Sequence, residues 1–379
     1  MKNIFITVMF VVYILIFSVG SLVLADREFS EMENRNLAQF PKVSVENILN
    51  GEFSEDFEKY MSDQVIFKDW LVKLKVEENL ALGIRKINGV YFGDDEMLIQ
   101  EYSGPGEQLD KNIEFINEFV RSNDELKFTF MLIPNACYIY GDKLPEFADE
   151  NKQDEVMEDI KQKLCDNINV VDVSNNLVKA QAESENLLYY RTDHHWTSDG
   201  AYIGYTELCK QFGLEATPLT ELKYEVICDD FYGSMYSNAP TYNQSPDEIT
   251  LYSNPKNKCT VEYLDTGVTT ESLYNYDNLK KKDKYTFFMD GNHSLIRITS
   301  NKIRMNPEQE VKKLIIIKDS YANCMIPMLT DQFEEIYVVD LRYYHESVSE
   351  LATKTGIDNI VFINNLEFLS TDNNFLWLW

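Results

Sequence analysis

Two short segments of this chain hold residue types that carry out nucleophilic chemistry. The first is Arg191-Thr192-Asp193-His194-His195-Trp196-Thr197-Ser198-Asp199-Gly200, with two of the chain's 4 histidines. Asp193 and His195 stand at i and i+2, so in an extended segment their side chains leave on the same side. A carboxylate there accepts a hydrogen bond from one ring nitrogen of His195. That bond fixes the tautomer and leaves the other nitrogen free as a base. The second segment is Leu314-Ile315-Ile316-Ile317-Lys318-Asp319-Ser320-Tyr321-Ala322-Asn323. An apolar run ends and Ser320 follows at its C-terminal edge, where an α/β sheet presents its chemistry. A Ser at such a turn exposes its hydroxyl to a base and sets nearby backbone N–H groups as oxyanion donors. A hydroxyl is a weak nucleophile at its own pKa and needs an oriented base. Asp193 and His195 therefore read as an Asp–His dyad, and Ser320 as a candidate nucleophile. Structural roles account for the same residues: Ser320 as a helix N-cap, and the His pair as the opening of a helix that Thr197-Ser198-Asp199 then caps.

Metal catalysis is a third reading of Asp-His-His. Sites with paired metal ions need further Asp and His. Only His293 and His345 remain, and no D-x-D precedes the motif at suitable spacing. Cys137, Cys165, Cys209, Cys228, Cys259 and Cys324 are scattered, with no C-x-x-C and no Cys/His cluster, so the spacing gives no metal site. No cofactor is called for. Sequence cannot choose among the fifteen full pairings that six Cys allow. Cys137 and Cys165 lie in or near apolar segments and read as buried thiols.

The elements that must position these groups alternate between strand and helix. Leu109 to Val120 reads as a helix, Lys127 to Ile133 as a strand ending at Pro134, Asp154 to Leu164 as a helix, and Val170 to Val173 as a strand. A helix is predicted from Ser198 to Gln211. Leu314–Ile317, Ile336–Val339 and Ile360–Ile363 are short runs rich in Val and Ile between helical or turn sequence. Such runs indicate a parallel sheet buried on both faces. Residues 220–305 differ. There Tyr224–Ile227, Ile249–Tyr252, Thr260–Tyr263, Tyr285–Phe288 and Leu295–Ile298 read as short strands of a β-rich insertion. Residues 26 to about 100 are charged and helical in pattern, with apolar spacing in Phe53–Tyr60 and Trp70–Lys75. They read as a juxtamembrane helical stalk and lead-in, with a hairpin over Val90–Ile99. The expected division is thus 1–25, 26–100 and an α/β domain over 101–379.

The uncharged stretch Asn3 to Ala25 exceeds the ~20 residues that a helix needs to cross hydrocarbon. Asp26-Arg27-Glu28 ends it, and Lys2 favours an inside N-terminus with the remainder exported. A retained membrane anchor and a signal peptide cleaved near Ala25 both fit. With 35 basic against 63 acidic side chains, the net charge is −28. That excludes nucleic acid as a partner, because phosphate binding needs clustered Lys and Arg. It also disfavours lying flat on an anionic membrane. A hydrophobic fraction of 44% with 13% aromatic residues belongs to a globular chain with a large core.

The sequence Thr192-Asp193-His194-His195-Trp196-Thr197 resembles the signature of the DHHW protein family of bacterial exported proteins. That family is similar to the SGNH-hydrolase-like alginate O-acetyltransferases, which modify exopolysaccharides. Further segments match in kind: Glu33-Asn34-Arg35-Asn36-Leu37 with Pro41; Asp63-Gln64 with Phe67-Lys68-Asp69; Pro134-Asn135; Phe231-Tyr232-Gly233-Ser234; and Lys318 through Asn323. Lys68 stands where Arg is usual, and Lys318 where many SGNH enzymes have Gly.

The resemblance implies an SGNH-hydrolase-like parallel sheet flanked by helices. It also implies a triad in the order Asp193, His195, Ser320. The oxyanion donors it implies are the backbone N–H of Ser320 or Tyr321 and the Gly291-Asn292 pair, although a simple turn explains Asp290-Gly291-Asn292 as well. Asn323 and Asn135 are rivals. Arg342 resembles a ligand-contacting Arg, and an ion pair with Asp340 explains it equally. The implied function is O-acetyl transfer to, or acetyl-ester cleavage on, hydroxyls of a cell-envelope or extracellular polysaccharide. A membrane-bound O-acyltransferase would then be the partner that supplies acetyl. The second reading is a non-catalytic polysaccharide-binding or assembly subunit. The charge of −28 favours a neutral glycan, or a charged one held through a local patch such as Arg342.

Overall fold

The Ile- and Val-rich runs become neighbouring strands at the centre of one sheet. They are seen in a computed structural model that describes residues 2–149, 152–301 and 309–379. The strands, in chain order, are β1 (Lys127–Ile133), β2 (Ile168–Asp172), β3 (Cys259–Tyr263), β4 (Val268–Thr270), β5 (Leu295–Ser300), β6 (Lys313–Lys318), β7 (Glu335–Val339) and β8 (Asn359–Asn365). They lie in the order β4-β3-β5-β7-β6-β8-β1-β2. The run β7-β6-β8-β1-β2 is parallel. Strands β5, β3 and β4 extend it antiparallel.

Burial on both faces explains the continuous apolar runs. Leu314 and Ile316 of β6 enter one core, and Ile315 and Ile317 enter the other. The first core takes Ala201, Tyr205 and Leu208 of the helix Ser198–Gln211. The second takes the apolar faces of the helices Glu107–Ser122, Gln153–Lys163 and Val348–Thr355. The antiparallel extension is covered on one face only, so its strands alternate. On β5, Ile296, Ile298 and Ser300 are buried, while Arg297 reaches across to Glu262 on β3 at 3.1 Å and Glu335 on β7 at 2.7 Å.

Two expectations for the insertion change. Only Lys223–Phe231 and Asp247–Ser253 form a hairpin of their own, and three other strands join the main sheet. Tyr285–Phe288 is not a strand: Tyr285 to Phe287 lie in a 3-10 turn, Lys284–Phe287, and Phe288 follows it with a single antiparallel bridge to Tyr274. Tyr285, Phe287 and Phe288 are all buried, which a strand with one solvated face cannot do. The Thr286 hydroxyl donates back to the Asp283 carbonyl and closes the turn.

The α/β unit comprises Gly89–Met235 and Ser245–Trp379, so it starts ahead of the expected residue 101. The reason is the hairpin Val90–Phe92 with Leu98–Gln100, whose Tyr91, Met97 and Ile99 pack in the first core with Met131 and Ile133. The other unit holds Met1–Asn88 and Tyr236–Gln244. Its helix Lys2–Val23 contains an 18-residue stretch, Ile4–Ser21, long and apolar enough to cross a membrane. The helices Glu52–Asp63 and Lys68–Ala81 follow. Arg35 makes two hydrogen bonds to Asp63 at 2.6 and 2.9 Å, and Lys68 pairs with Glu33.

The strand order creates a crevice. After β6 the chain turns through Ser320–Cys324 and Ile326–Leu329 into the first core, whereas after the adjacent β8 the helix Leu366–Thr371 packs into the second. Neighbouring strands whose continuations leave to opposite faces open a cleft at their carboxyl ends.

Candidate active site

Ser320 opens the turn at the end of β6, at that crevice. Asp319 anchors the turn. Its Oδ1 accepts the Tyr321 N–H at 2.9 Å, and its Oδ2 accepts the Asn365 N–H at 2.6 Å, tying the ends of β6 and β8 together. Burial pushes the Asp319 carboxyl up to about 6, against the pull of those two N–H groups.

Asp193 and His195 come from the tip of a narrow loop. The Tyr190 N–H donates to the His195 carbonyl at 3.1 Å and the Thr197 N–H to the Leu188 carbonyl at 2.8 Å, so the two arms pair. Asp247 stiffens the loop by accepting the N–H groups of Arg191 and Thr192 at 2.8 and 2.7 Å, and the Thr192 hydroxyl at 2.6 Å. Burial pushes Asp247 up to about 6.

The loop and the turn meet. His195 Nδ1 lies 2.5 Å from Asp193 Oδ1, and His195 Nε2 lies 2.8 Å from Ser320 Oγ. A carboxylate accepts only, so Nδ1 carries the proton and Nε2 presents its lone pair to the Ser320 hydroxyl. The other carboxylate oxygen, Asp193 Oδ2, accepts the N–H and hydroxyl of Ser234 at 2.7 and 2.9 Å. Having donated its proton, the Ser234 hydroxyl accepts from His194 Nδ1 at 2.6 Å. Burial alone would raise the Asp193 pKa. The His194 and His195 imidazoles and the Ser234 N–H outweigh burial and hold the carboxyl well below the usual range. Burial, with His195 alongside, lowers His194 to about 4, so that ring is neutral at pH 7.

Aromatic packing sets the orientation of the His195 ring. The His195 ring lies flat on Tyr285, with centroids 3.8 Å apart and planes 9° from parallel. The His194 ring approaches it at 3.9 Å. Trp196 is buried, and its Nε1–H donates to the Tyr321 carbonyl at 2.7 Å. The Tyr321 hydroxyl in turn donates to the His194 carbonyl. A Cβ on Gly204 would stand 2.7 Å from the Trp196 ring, so only glycine lets the helix approach it.

The remaining sequence candidates are bonded around the ends of β6, β7 and β8, with altered availability. The Tyr321 N–H is spent on Asp319, and the Gly291 N–H donates to the Phe288 carbonyl at 3.1 Å, so neither is a free donor. Asn323 Nδ2 donates to Asn292 Oδ1 at 3.1 Å. The same Oδ1 accepts from Lys318 Nζ at 2.9 Å, which turns the Asn292 amide N–H₂ group away from both. Asn135 Nδ2 donates to Asn365 Oδ1 at 2.9 Å and serves the end of β8. Arg342 makes two hydrogen bonds to Asp340, at 2.8 and 2.6 Å, and Lys318 Nζ reaches the same carboxylate at 3.0 Å. Burial would raise the Asp340 pKa, but the two cations hold it down.

Sequence reasoning assigned no role to Gly233, Ser234, Tyr285 or Asp247. Gly233-Ser234 was visible as a matching segment, yet no spacing rule links it to Asp193. The donor atoms of Asp193, His194 and His195 lie within 4.8 Å of one another, the spread of a metal-ligand cluster. Here the facing atoms of Asp193 and His195 are hydrogen-bonded to each other.

A family model described as DHHW protein matches residues 113–339. No curated protein matches the chain. Among solved structures, a DHHW family protein from Eubacterium siraeum is similar at 24% identity and TM-score 0.63, over 77% of this chain and 95% of that one. PatB1 of Bacillus cereus, solved with a sulfonyl adduct, is similar at 19% identity and TM-score 0.61, over 75% and 97%. The O-acetyltransferase domain of Pseudomonas putida AlgJ aligns at 13% identity and TM-score 0.43, over 75% and 93%.

Proposed function

The chain belongs to the DHHW protein family, and on that premise we propose that it is an exported, membrane-anchored serine enzyme. It transfers an acetyl group to, or cleaves one from, hydroxyls of a cell-envelope or extracellular polysaccharide. The observation that carries this reading is the continuous array from Asp193 through His195 to Ser320, at 2.5 and 2.8 Å.

Ser320 Oγ attacks the acetyl carbonyl while His195 Nε2 takes the hydroxyl proton. Asp193 holds the tautomer and stabilises the imidazolium that forms. The tetrahedral oxyanion needs donors that the fold has not already used. The Ser320 N–H has no acceptor among the described residues, and the Asn292 amide is turned outward by Lys318 and Asn323. These two groups form the oxyanion hole. Collapse of the intermediate expels the donor oxygen, which takes the proton back from His195. A sugar hydroxyl or water then attacks the acetyl-enzyme, with His195 again as base. The choice between those acceptors separates transferase from esterase.

Tyr285 and His194 close over the base, and Arg342 lines up as a ligand contact at the end of β7. A membrane-bound O-acyltransferase is the partner that would deliver acetyl to an anchored enzyme.

Fluorophosphonate labelling of the full-length protein and acetate release from p-nitrophenyl acetate or an acetylated glycan test the reading. Wild type should label and turn over, and Ser320→Ala should do neither. Equal labelling of both proteins would sink the assignment of the nucleophile. Glycan binding without any turnover would instead support the non-catalytic subunit.

A further inference from the structure

Away from Ser320, a cavity of about 120 Å³ opens between the residues that follow the hairpin strand Asp247–Ser253 and the short helix Ile326–Leu329. Its wall includes Asp331, Asn254, Asn257, Thr217 and Thr330. Asp331 is only 2% exposed. Its Oδ2 accepts from Thr217 Oγ1 at 2.8 Å and from Asn254 Nδ2 at 2.9 Å. Its Oδ1 is also buried and has no hydrogen-bond partner among the described residues.

The polarity of the other groups is determined by their neighbours. The Thr330 hydroxyl spends its proton on the Pro327 carbonyl at 2.6 Å, so it can only accept from Asn257 Nδ2, at 2.5 Å. Asn257 Oδ1 is then the free end of that amide. It is buried and likewise unpartnered among the described residues. Asn254 Oδ1 accepts the Lys256 N–H at 3.0 Å, which commits its amino end to Asp331. Two unsatisfied acceptor oxygens, one of them on a buried carboxylate, therefore belong to residues that line one small cavity. Among the described residues its wall contains no Lys, Arg or His, and Glu271 adds a second acidic group. A buried carboxylate whose partners are all neutral calls for a counter-charge.

We propose that this cavity is a binding site for a hard metal cation, and that the ion is Ca²⁺. The donors on offer are carboxylate, amide and hydroxyl oxygens, the set that suits Ca²⁺ and tolerates irregular geometry. Zinc prefers nitrogen and thiolate ligands. The only sulfur donor of that kind on the wall is Cys259, and burial pushes its thiol up to about 11, so it stays protonated. The ion ties the segment 253–257 and Thr217 to Asp331, just beyond the turn that carries Ser320. It is a structural clamp, independent of the proposed acyl chemistry.

The test uses full-length protein stripped of metal by a chelating resin. Ca²⁺ at saturation should raise the melting temperature by roughly 4 °C, and NaCl at equal ionic strength should not. Tb³⁺ replacing Ca²⁺ should give tyrosine-sensitised luminescence, because Tyr205, Tyr252 and Tyr274 line the cavity. Asp331→Asn should lose at least about tenfold in Tb³⁺ affinity. Asn257→Asp adds a carboxylate where the free carbonyl stands and should gain affinity, which keeps the test decisive if Asp331→Asn folds poorly. Wild type unmoved by Ca²⁺ would overturn the proposal and leave water as the occupant. Tb³⁺ binding equal in wild type and both variants would also overturn it, by placing the ion on surface carboxylates.

Discussion

Gly233→Ala tests the site without touching any of its reacting atoms. A Cβ built on Gly233 would lie 2.3 Å from both Asp193 Cβ and Asp193 Oδ2. Ordinary contact begins at 3.4 Å, so either the carboxylate or the 233 backbone must retreat by about 1 Å. Asp193 is bound on both oxygens, at 2.5 Å to His195 and 2.7 Å to the Ser234 N–H. A retreat of that size breaks one of these bonds or tilts His195 away from Ser320. A 1 Å misplacement costs on the order of 10²-fold in rate, or about 2.7 kcal/mol of barrier. Complete loss of the Asp–His bond costs about 10⁴-fold. We expect kcat/KM for p-nitrophenyl acetate to fall between those bounds. Overpacking also costs stability, about 1–3 kcal/mol, or at most roughly 12 °C in melting temperature. The variant therefore stays folded at 25 °C, and circular dichroism separates the two effects. A folded Gly233→Ala protein with wild-type kcat/KM would refute the claim that Asp193 positions His195.

Three other perturbations probe the surrounding structure. Trp196→Phe removes the 2.7 Å donor to the Tyr321 carbonyl and leaves that oxygen only the longer contacts from the Tyr285 hydroxyl at 3.5 Å and the Cys324 thiol at 3.6 Å, at a cost of about 0.5–1.5 kcal/mol in urea unfolding; no measurable loss would mean the bond is not formed. Lys318→Met strips one of the two cations from buried Asp340 and leaves the Asn292 amide held by Asn323 alone, so stability should fall by about 3 kcal/mol and turnover should drop with it. On pH, the folded carboxyls of Asp247 and Asp319 titrate near 6, above the unfolded value, so both take up protons as pH falls from about 6 to 4 and their contribution to stability grows. Asp193 and His194 have the opposite sign: the depressed Asp193 carboxyl stabilises above about 4 and is lost below, and His194, lowered to about 4, takes stability away as pH falls from about 6.5 to 4, offsetting about one of the two raised carboxyls. Urea midpoints should therefore hold or rise between pH 7 and 5 and collapse under pH 4; a steady fall from pH 7 to 5 would contradict these assignments.

What could be read from the sequence was local. The strand Lys127–Ile133 and the helix Ser198–Gln211 appear where periodicity puts them, because burial imposes that pattern within the element itself. The signature residues could be paired as Asp193 with His195 because two positions of separation decide the geometry. Strand order was not legible, since nothing near Leu314 says that β8 and not β1 will lie beside β6. Tyr285 was misplaced on a strand because a run with three buried aromatics in four positions looks alike whether the backbone alternates or turns. Ser234 was out of reach for a related reason. Its partner lies 41 positions away in the chain, and a Gly-Ser pair has many other uses. Tyr321 and Gly291 were credible oxyanion donors until their N–H groups were found bonded to Asp319 and Phe288, a matter of tertiary contact that composition does not record.

The stacking of His195 has a dynamic consequence. Two rings whose centroids lie 3.8 and 3.9 Å from the imidazole cannot share a face, so Tyr285 and His194 occupy opposite sides of it. The imidazole sits in a slot. Rotation about its Cβ–Cγ bond, which would exchange Nδ1 and Nε2, has to push one wall aside. Sliding within the ring plane does not. The imidazole can therefore shift toward or away from Ser320 without losing its facing, so in the proposed reaction the correct nitrogen stays presented from one step to the next.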